Sequence, residues 1–270
     1  MTTTAPTSPT SPTSPAAPAP TASASGAARA LLRTEVRLFL REPGALFWVM
    51  ASPTVLLVVL GCIPSFRAPS ADLGGRRVID LYVAISVLFA LIMAGLQAMP
   101  PVLAGYRERG ILRRMSTTPV RPGALLGAQL VLHGGAALVS ALLVITVGRV
   151  ALDVPLPGNP AGYLLALLLA VAGALALGAA VCAVSRTQKI ATAVGSAVFF
   201  PSMFTAGVWL PVQAMPDTLR RIVDFSPLGA ASQALDAATG GGWPGWAALG
   251  VMAAWAVLLT GAAVRWFRWE

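Results

Sequence analysis

Charge is what this chain has least of. Only 11% of its 270 residues are Asp, Glu, Lys or Arg, against 56% hydrophobic residues and a mean hydropathy of +0.76. A soluble domain carries about 25% charged residues. So little charge with so much apolar surface excludes an ordinary soluble domain and places the chain in a bilayer. Cysteine is scarce too. Cys62 and Cys182 are too few for a disulfide framework and fall near opposite membrane faces in the topology below. Patterns that carry common chemistry are missing: no H-E-x-x-H, no G-x-S-x-G and no carboxylate pair inside an apolar run. A G-x-x-x-x-G-K-S/T phosphate loop is missing as well, because the sole lysine, Lys189, lies in Arg186-Thr187-Gln188-Lys189. The expectation is a chain that is not an enzyme, has no metal site and cannot hydrolyse ATP by that route. Ion-coupled transport lacks its usual intramembrane charges. The lone histidine, His133, reads as a neutral side chain hydrogen-bonded between helices.

What is present is a net charge of +9. The arginines gather at the ends of apolar runs and not on one continuous face, which fits membrane topology and excludes nucleic acid as a partner. Residues 1–26 form a Thr/Ser/Pro/Ala tail with an S-P-T repeat. It has neither the apolar content to order itself nor the basic start and apolar run of a signal peptide. From residue 27, Arg29, Arg33, Arg37 and Arg41 recur at i, i+4, with Leu31, Leu32, Val36 and Phe39 largely opposite and Glu35 interrupting the apolar arc. That pattern predicts a helix lying on the membrane surface, stopped by Pro43-Gly44.

Six apolar runs follow, at 45–63, 81–103, 125–147, 163–184, 190–210 and 246–264, each 19 to 23 residues long and free of charge. About 20 helical residues cross the hydrocarbon layer. The fold class expected is therefore all-α, an integral membrane protein with six transmembrane helices. Thirteen of the nineteen Lys and Arg residues fall on one side if both termini are cytoplasmic, which sets the orientation. Arg67, Arg76 and Arg77 in the first outer loop weaken the bias. Residues 211–245 read as an outer amphipathic or re-entrant segment between helices 5 and 6, with Met215, Leu219, Ile222 and Val223 opposite Asp217, Arg220, Arg221 and Asp224. Pro201 is expected to kink the fifth span, and Pro211, Pro216 and Pro227 punctuate the segment. Gly240-Gly241-Gly242 reads as a loose end. Gly123-x-x-x-Gly127 is a small-residue pattern at the start of the third span.

The connection between spans two and three, YRERGILRRMSTTPVRP at 106–122, holds five basic residues. Tyr106, Arg107, Arg109 and Arg113 suit a polar face of a short helix, with Ile111, Leu112 and Met115 as an apolar stripe for a partner groove. Glu108 is free for a basic partner residue, Gly110 relaxes the helix, and Pro119 and Pro122 end it.

These residues resemble the cytoplasmic signature of ABC-2 type transporter permeases: an acidic residue, a Gly, a basic-apolar pair and the Thr118-Pro119-Val120 step between spans two and three. Arg41-Glu42-Pro43 with Pro53, Phe200-Pro201 through Ala206-Gly207 to Leu210-Pro211, and Phe225-Ser226-Pro227-Leu228 are similar to further family motifs. The resemblance covers residues 27–268, and the tail and size are most similar to the daunorubicin-resistance-type drug exporter membrane subunits. It implies an ATP-driven exporter of hydrophobic, drug-like compounds from the cell membrane. Two permease chains, alike or paralogous, would work with separate ATPase subunits that bind ATP and Mg. This chain would need no cofactor of its own. By the same resemblance, residues 106–115 would be the coupling helix, Glu108 a contact to the ATPase, the Arg29–Arg41 helix a flank of the docking site, and Pro201, Gly207, Pro211 and Pro227 an outer gate. Export of polysaccharide or lipid-linked glycan, and a scaffold or immunity role, are the alternatives.

Overall fold

The computed structural model describes residues 24–111 and 122–266. Among them every regular element is a helix. In chain order these are α1 (Ala24–Leu40), α2 (Pro43–Gly61), α3 (Val78–Glu108), α4 (Pro122–Leu152), α5 (Pro160–Val184), α6 (Gln188–Thr205), α7 (Asp217–Asp224), α8 (Pro227–Thr239) and α9 (Trp246–Trp266).

Five of these, α2, α3, α4, α5 and α9, are long and apolar enough to cross a membrane. The fifth apolar run behaves differently. Its helix, α6, has 18 residues and stops at Thr205, five residues before the run ends. At 1.5 Å per residue it spans about 27 Å, short of the ~30 Å hydrocarbon layer. The stop has a local cause. Gly207 adopts the left-handed conformation (φ 87°), with Val208 N–H donating to Met203 O and Gly207 N–H to Phe204 O, the paired bonds of a glycine helix stop. Pro201 lies inside α6, where it removes one backbone donor.

α3 is the central helix. Within its most apolar window 89% of residues are buried, against 17% in α9, whose apolar face is left for lipid. Carbonyls of α3 meet glycines on both neighbours. A Cβ at Gly178 of α5 would collide with Gly95 O, and one at Gly195 of α6 would stand 2.8 Å from Leu96 O. Small residues that let backbones touch are how helices associate where lipid supplies no hydrophobic drive. Gly95 and Leu96 lie in a π-helical section, Met93–Ala98, and a second such section, Phe47–Ala51, interrupts α2. A proline follows each, Pro53 in α2 and Pro100-Pro101 in α3.

At the end of the bundle opposite α1, the arginines that dilute the charge bias are held by the protein. Arg77 pairs with Asp80 (2.6 Å) and donates to Leu152 O and Asp153 O, Arg67 donates to Ala151 O, and Arg76 pairs with Asp236 (2.7 Å). Three of these contacts satisfy carbonyls at the C-terminus of α4, where positive charge is favoured.

The 211–245 segment folds as two helices. α7 is amphipathic as expected and buries Val223, but Ile222, expected on the same side, is 67% exposed. Adjacent residues stand about 100° apart round a helix, so Ile222 cannot share the neighbours that bury Val223. α8, rich in Ala, is buried against α3, α5 and α9 and is about 20 Å long, too short to span. Gly240-Gly241-Gly242 is no loose end. It closes α8 with Gly241 left-handed, Gly242 N–H donating to Ala237 O, and Gly242 O accepting from Asn159 Nδ2.

If α3 carbonyls seat on Gly178, Gly178→Val should destabilise the detergent-solubilised protein by about 1–3 kcal/mol through overpacking. Gly250→Ala, where nothing lies within 4 Å, should leave the unfolding midpoint unchanged or raised. Equal midpoints for Gly178→Val and the parent would refute this seating.

Candidate functional site

The first residues of the basic connection are not a free surface helix. α3 continues to Glu108, and Gly110 (φ 66°) ends it, so the expected short helix beginning at Tyr106 is instead the last turn of a spanning helix. Left-handed Gly110 interrupts the helix between Arg109 and Ile111. Leu112, Arg113, Met115, Thr118 and Pro119 lie outside the described residues.

Tyr106, Arg107 and Glu108 each reach a different helix. Arg107 donates to Cys182 O and Ser185 O at the C-terminus of α5. Glu108 accepts the Gln188 N–H (2.9 Å) at the N-terminus of α6, where Thr187 also caps Ile190. Cation at a helix C-terminus and anion at a helix N-terminus both oppose the local dipole charge. Arg109 donates from Nε to Gly105 O and places its guanidinium 5.6 Å from the Tyr106 ring centroid. Tyr106 O–H donates to the Glu35 carboxylate of α1 (2.9 Å). Glu108 and Arg109 keep exposed surface as well.

α1 lies against α4. Arg29, Arg33, Arg37 and Arg41 are all exposed, as the spacing predicts, while Phe39 and Glu35 are buried. Glu35 therefore belongs to the inward face. Two rungs join the helices in parallel, each one turn from the next: Gln129 Nε2 donates to Glu35 (2.7 Å), and the His133 ring meets Phe39 edge-on at 5.7 Å. His133 is buried at Phe39, and its Nδ1 finds no hydrogen-bond partner among the described residues, so the expected interhelical hydrogen bond is absent at that nitrogen. Burial pushes the Glu35 carboxyl above its ordinary value of 4.5, an effect the bonds from Tyr106 and Gln129 only partly offset.

Behind these rungs opens a cavity of about 970 Å³. α1, α2, α3, α4 and α6 all contribute to it. Glu35, Glu42, Tyr106, Arg109, Gln129 and Gln188 make its polar end, and mostly apolar side chains, among them Trp48, Phe89, Met93, Phe199 and Met203, line the remainder. Sequence reading missed Glu35 and Gln129. The available signal was the matched i, i+4 spacing of Glu35/Phe39 and Gln129/His133, two polar–aromatic pairs on adjacent helical segments.

The proposed gate residues occupy the opposite end. Gly207 and Pro211 share one turn, a Cβ at Gly207 standing 3.4 Å from Pro211 Cα. Pro227 is the first residue of α8 behind the Ser226 cap, and Pro201 is exposed on α6. Among the described residues no group of His, Cys, Asp and Glu could hold a metal ion.

The family model for the ABC-2 type transporter matches residues 27–238, well over half of the chain. A comparison with curated proteins gives no match. The chain belongs to the ABC-2 type transporter family, and with five apolar helices of spanning length it is a multi-pass membrane protein.

A raised carboxyl fixes a sign. Glu35 contributes stability that is full below pH 4.5 and is lost as the pH rises through its elevated folded value. The unfolding midpoint of the parent should therefore fall relative to Glu35→Gln as the pH climbs above 4.5, and parallel profiles would contradict the assignment.

Proposed function

We propose that this ABC-2 type transporter chain is the membrane permease subunit of an ATP-driven exporter of hydrophobic, drug-like compounds, similar in kind to daunorubicin-resistance-type exporters. The 970 Å³ cavity carries the reading: it has the size of a small-molecule site, mostly apolar walls and a few polar groups at one end. α6 completes six membrane passes in this proposal, Thr205 to Leu210 finishing the crossing in non-helical form beneath α7. Both termini and the 106–122 connection then face the cytoplasm, and α8 is a re-entrant helix on the outer side. Residues 27–268 form the permease domain behind the Thr/Ser/Pro-rich segment.

Energy enters from outside the chain. A separate ABC ATPase, binding ATP and Mg, docks on the connection through Ile111, Leu112, Arg113 and Met115, flanked by the arginines of α1. A second permease chain, alike or paralogous, completes the pore. Support for transmission comes from the last turn of α3, whose side chains grip α1, α5 and α6 at once. A displacement of this turn moves all three.

Two measurements test the proposal. The double substitution R113E/M115D should abolish co-purification of a co-expressed ABC ATPase and export with it, while the chain still inserts with an unchanged unfolding midpoint. Retained export sinks the docking assignment. In a background without Cys62 and Cys182, cysteine at Ser70 should label only from outside and cysteine at Arg186 only from inside, the reverse overturning the orientation.

A further inference from the structure

α1 is held to the bundle on one face only. That face carries Glu35 and Phe39, which meet Gln129 and His133 of α4. Counting about 100° per residue from Glu35, the arginines at 29, 33, 37 and 41 fall between about 120° and 240°, on the side away from α4. All four are exposed. None of them forms an ion pair or donates a side-chain hydrogen bond among the described residues. The nearest carboxylates on the chain do not serve them, since Glu35 points inward and Glu42 lines the cavity. Other arginines are matched: Arg76 and Arg77 pair with aspartates, and Arg220 and Arg221 share α7 with Asp217 and Asp224. Along α1, four cations lie within about 18 Å of helix with no counter-charge.

Two observations say what covers this face. α2 starts at Pro43, two residues beyond Arg41, and exposes Phe47 and Trp48 in its first two turns. The stripe therefore ends where a helix of spanning length begins. Leu38 and Leu40 of α1 are also 48% and 58% exposed, and Leu40 falls inside the arginine arc at about 140° from Glu35. An acidic protein surface would satisfy the arginines alone. A bilayer surface satisfies both, with leucines at the acyl boundary and guanidiniums reaching the phosphates. A zwitterionic headgroup carries its own cation beside the phosphate, so the net attraction belongs to headgroups of net negative charge.

We propose that the outward face of α1 is a binding surface for acidic phospholipids, whose phosphates its four arginines hold. The proposal goes beyond the exporter reading and does not depend on it. α1 is then clamped from both sides, by Tyr106 and Gln129 on Glu35 and by headgroups on the arginines. The acidic-lipid content of the bilayer sets how firmly α1 sits on α4.

The test uses the full chain in detergent and two lipids with the same NBD-labelled acyl chain, a phosphatidylglycerol and a phosphatidylcholine, titrated by energy transfer from tryptophan. The parent should bind the phosphatidylglycerol about tenfold more tightly, and each single Arg→Gln in the stripe should remove about twofold of that preference. R29Q/R33Q/R37Q/R41Q should bring the two lipids within about twofold without weakening phosphatidylcholine binding, and the single substitutions decide the matter where this variant fails to fold. R29K/R33K/R37K/R41K should keep most of the preference, and R220Q/R221Q on α7 should keep all of it. In nanodiscs, amide exchange over residues 28–41 should slow when phosphatidylglycerol replaces phosphatidylcholine, in the parent and not in the fourfold Gln variant. Equal binding of both lipids by the parent overturns the proposal, as does an undiminished preference in the Gln variants. Loss of a co-expressed ABC ATPase from the fourfold Gln variant with its lipid preference intact would also overturn it, making the stripe a protein-docking face.

Discussion

Two adjacent residues of opposite charge, Arg107 and Glu108, close the two helix ends that meet at the α5–α6 turn. One gives its N–H groups to the last carbonyls of α5, and the other takes an N–H from the first turn of α6. Helix ends leave backbone groups without intrahelical partners, and near a bilayer few waters replace them. The turn between these helices has only Ser185, Arg186 and Thr187, so fixing it fixes the approach of both helices to α3. Gly178 and Gly195 can then sit on the Gly95 and Leu96 carbonyls. Tyr106, one residue earlier, brings α1 to the same turn through Glu35. The cavity exists because α1 is held there, across the mouth left between α2, α4 and α6.

The reach of sequence reasoning follows from the range of the forces involved. Apolar length and the absence of charge are local properties, so α2, α3, α4, α5 and α9 were legible as spans. The i, i+4 arginines of α1 were legible for the same reason. Helix ends were less so. Glu108 read as available to a partner because its acceptor role depends on Gln188, eighty residues away. α6 read as a full span because composition alone does not show that Gly207 turns left-handed. Glu35 read as a flaw in an apolar arc, when its solvation comes from Tyr106 and Gln129 on two other helices. The cavity was wholly illegible, since five helices distant in sequence bound it.

The opposite end of the bundle obeys the same rule of satisfied charge. Arg67, Arg76 and Arg77 blur a count of basic residues by loop, yet each has a partner that explains its presence. Arg76 also ties the loop after α2 to Asp236 in α8. That bond runs from the connection between α2 and α3 to α8, and Asn159 on Gly242 adds a second polar contact at the end of α8.

The π-helical section of α3 divides that helix mechanically. On one side lie Phe89 and the capped start at Arg77–Asp80, and on the other the Tyr106–Arg109 turn. Pro100 and Pro101 bring no N–H, so the ladder is thinnest where the two parts join. The same joint is where Gly178 and Gly195 press on the Gly95 and Leu96 carbonyls. The segment from Pro100 to Arg109 is therefore joined to the rest of α3 through fewer backbone bonds, with Gln97 and Pro101 lining the cavity beside the joint.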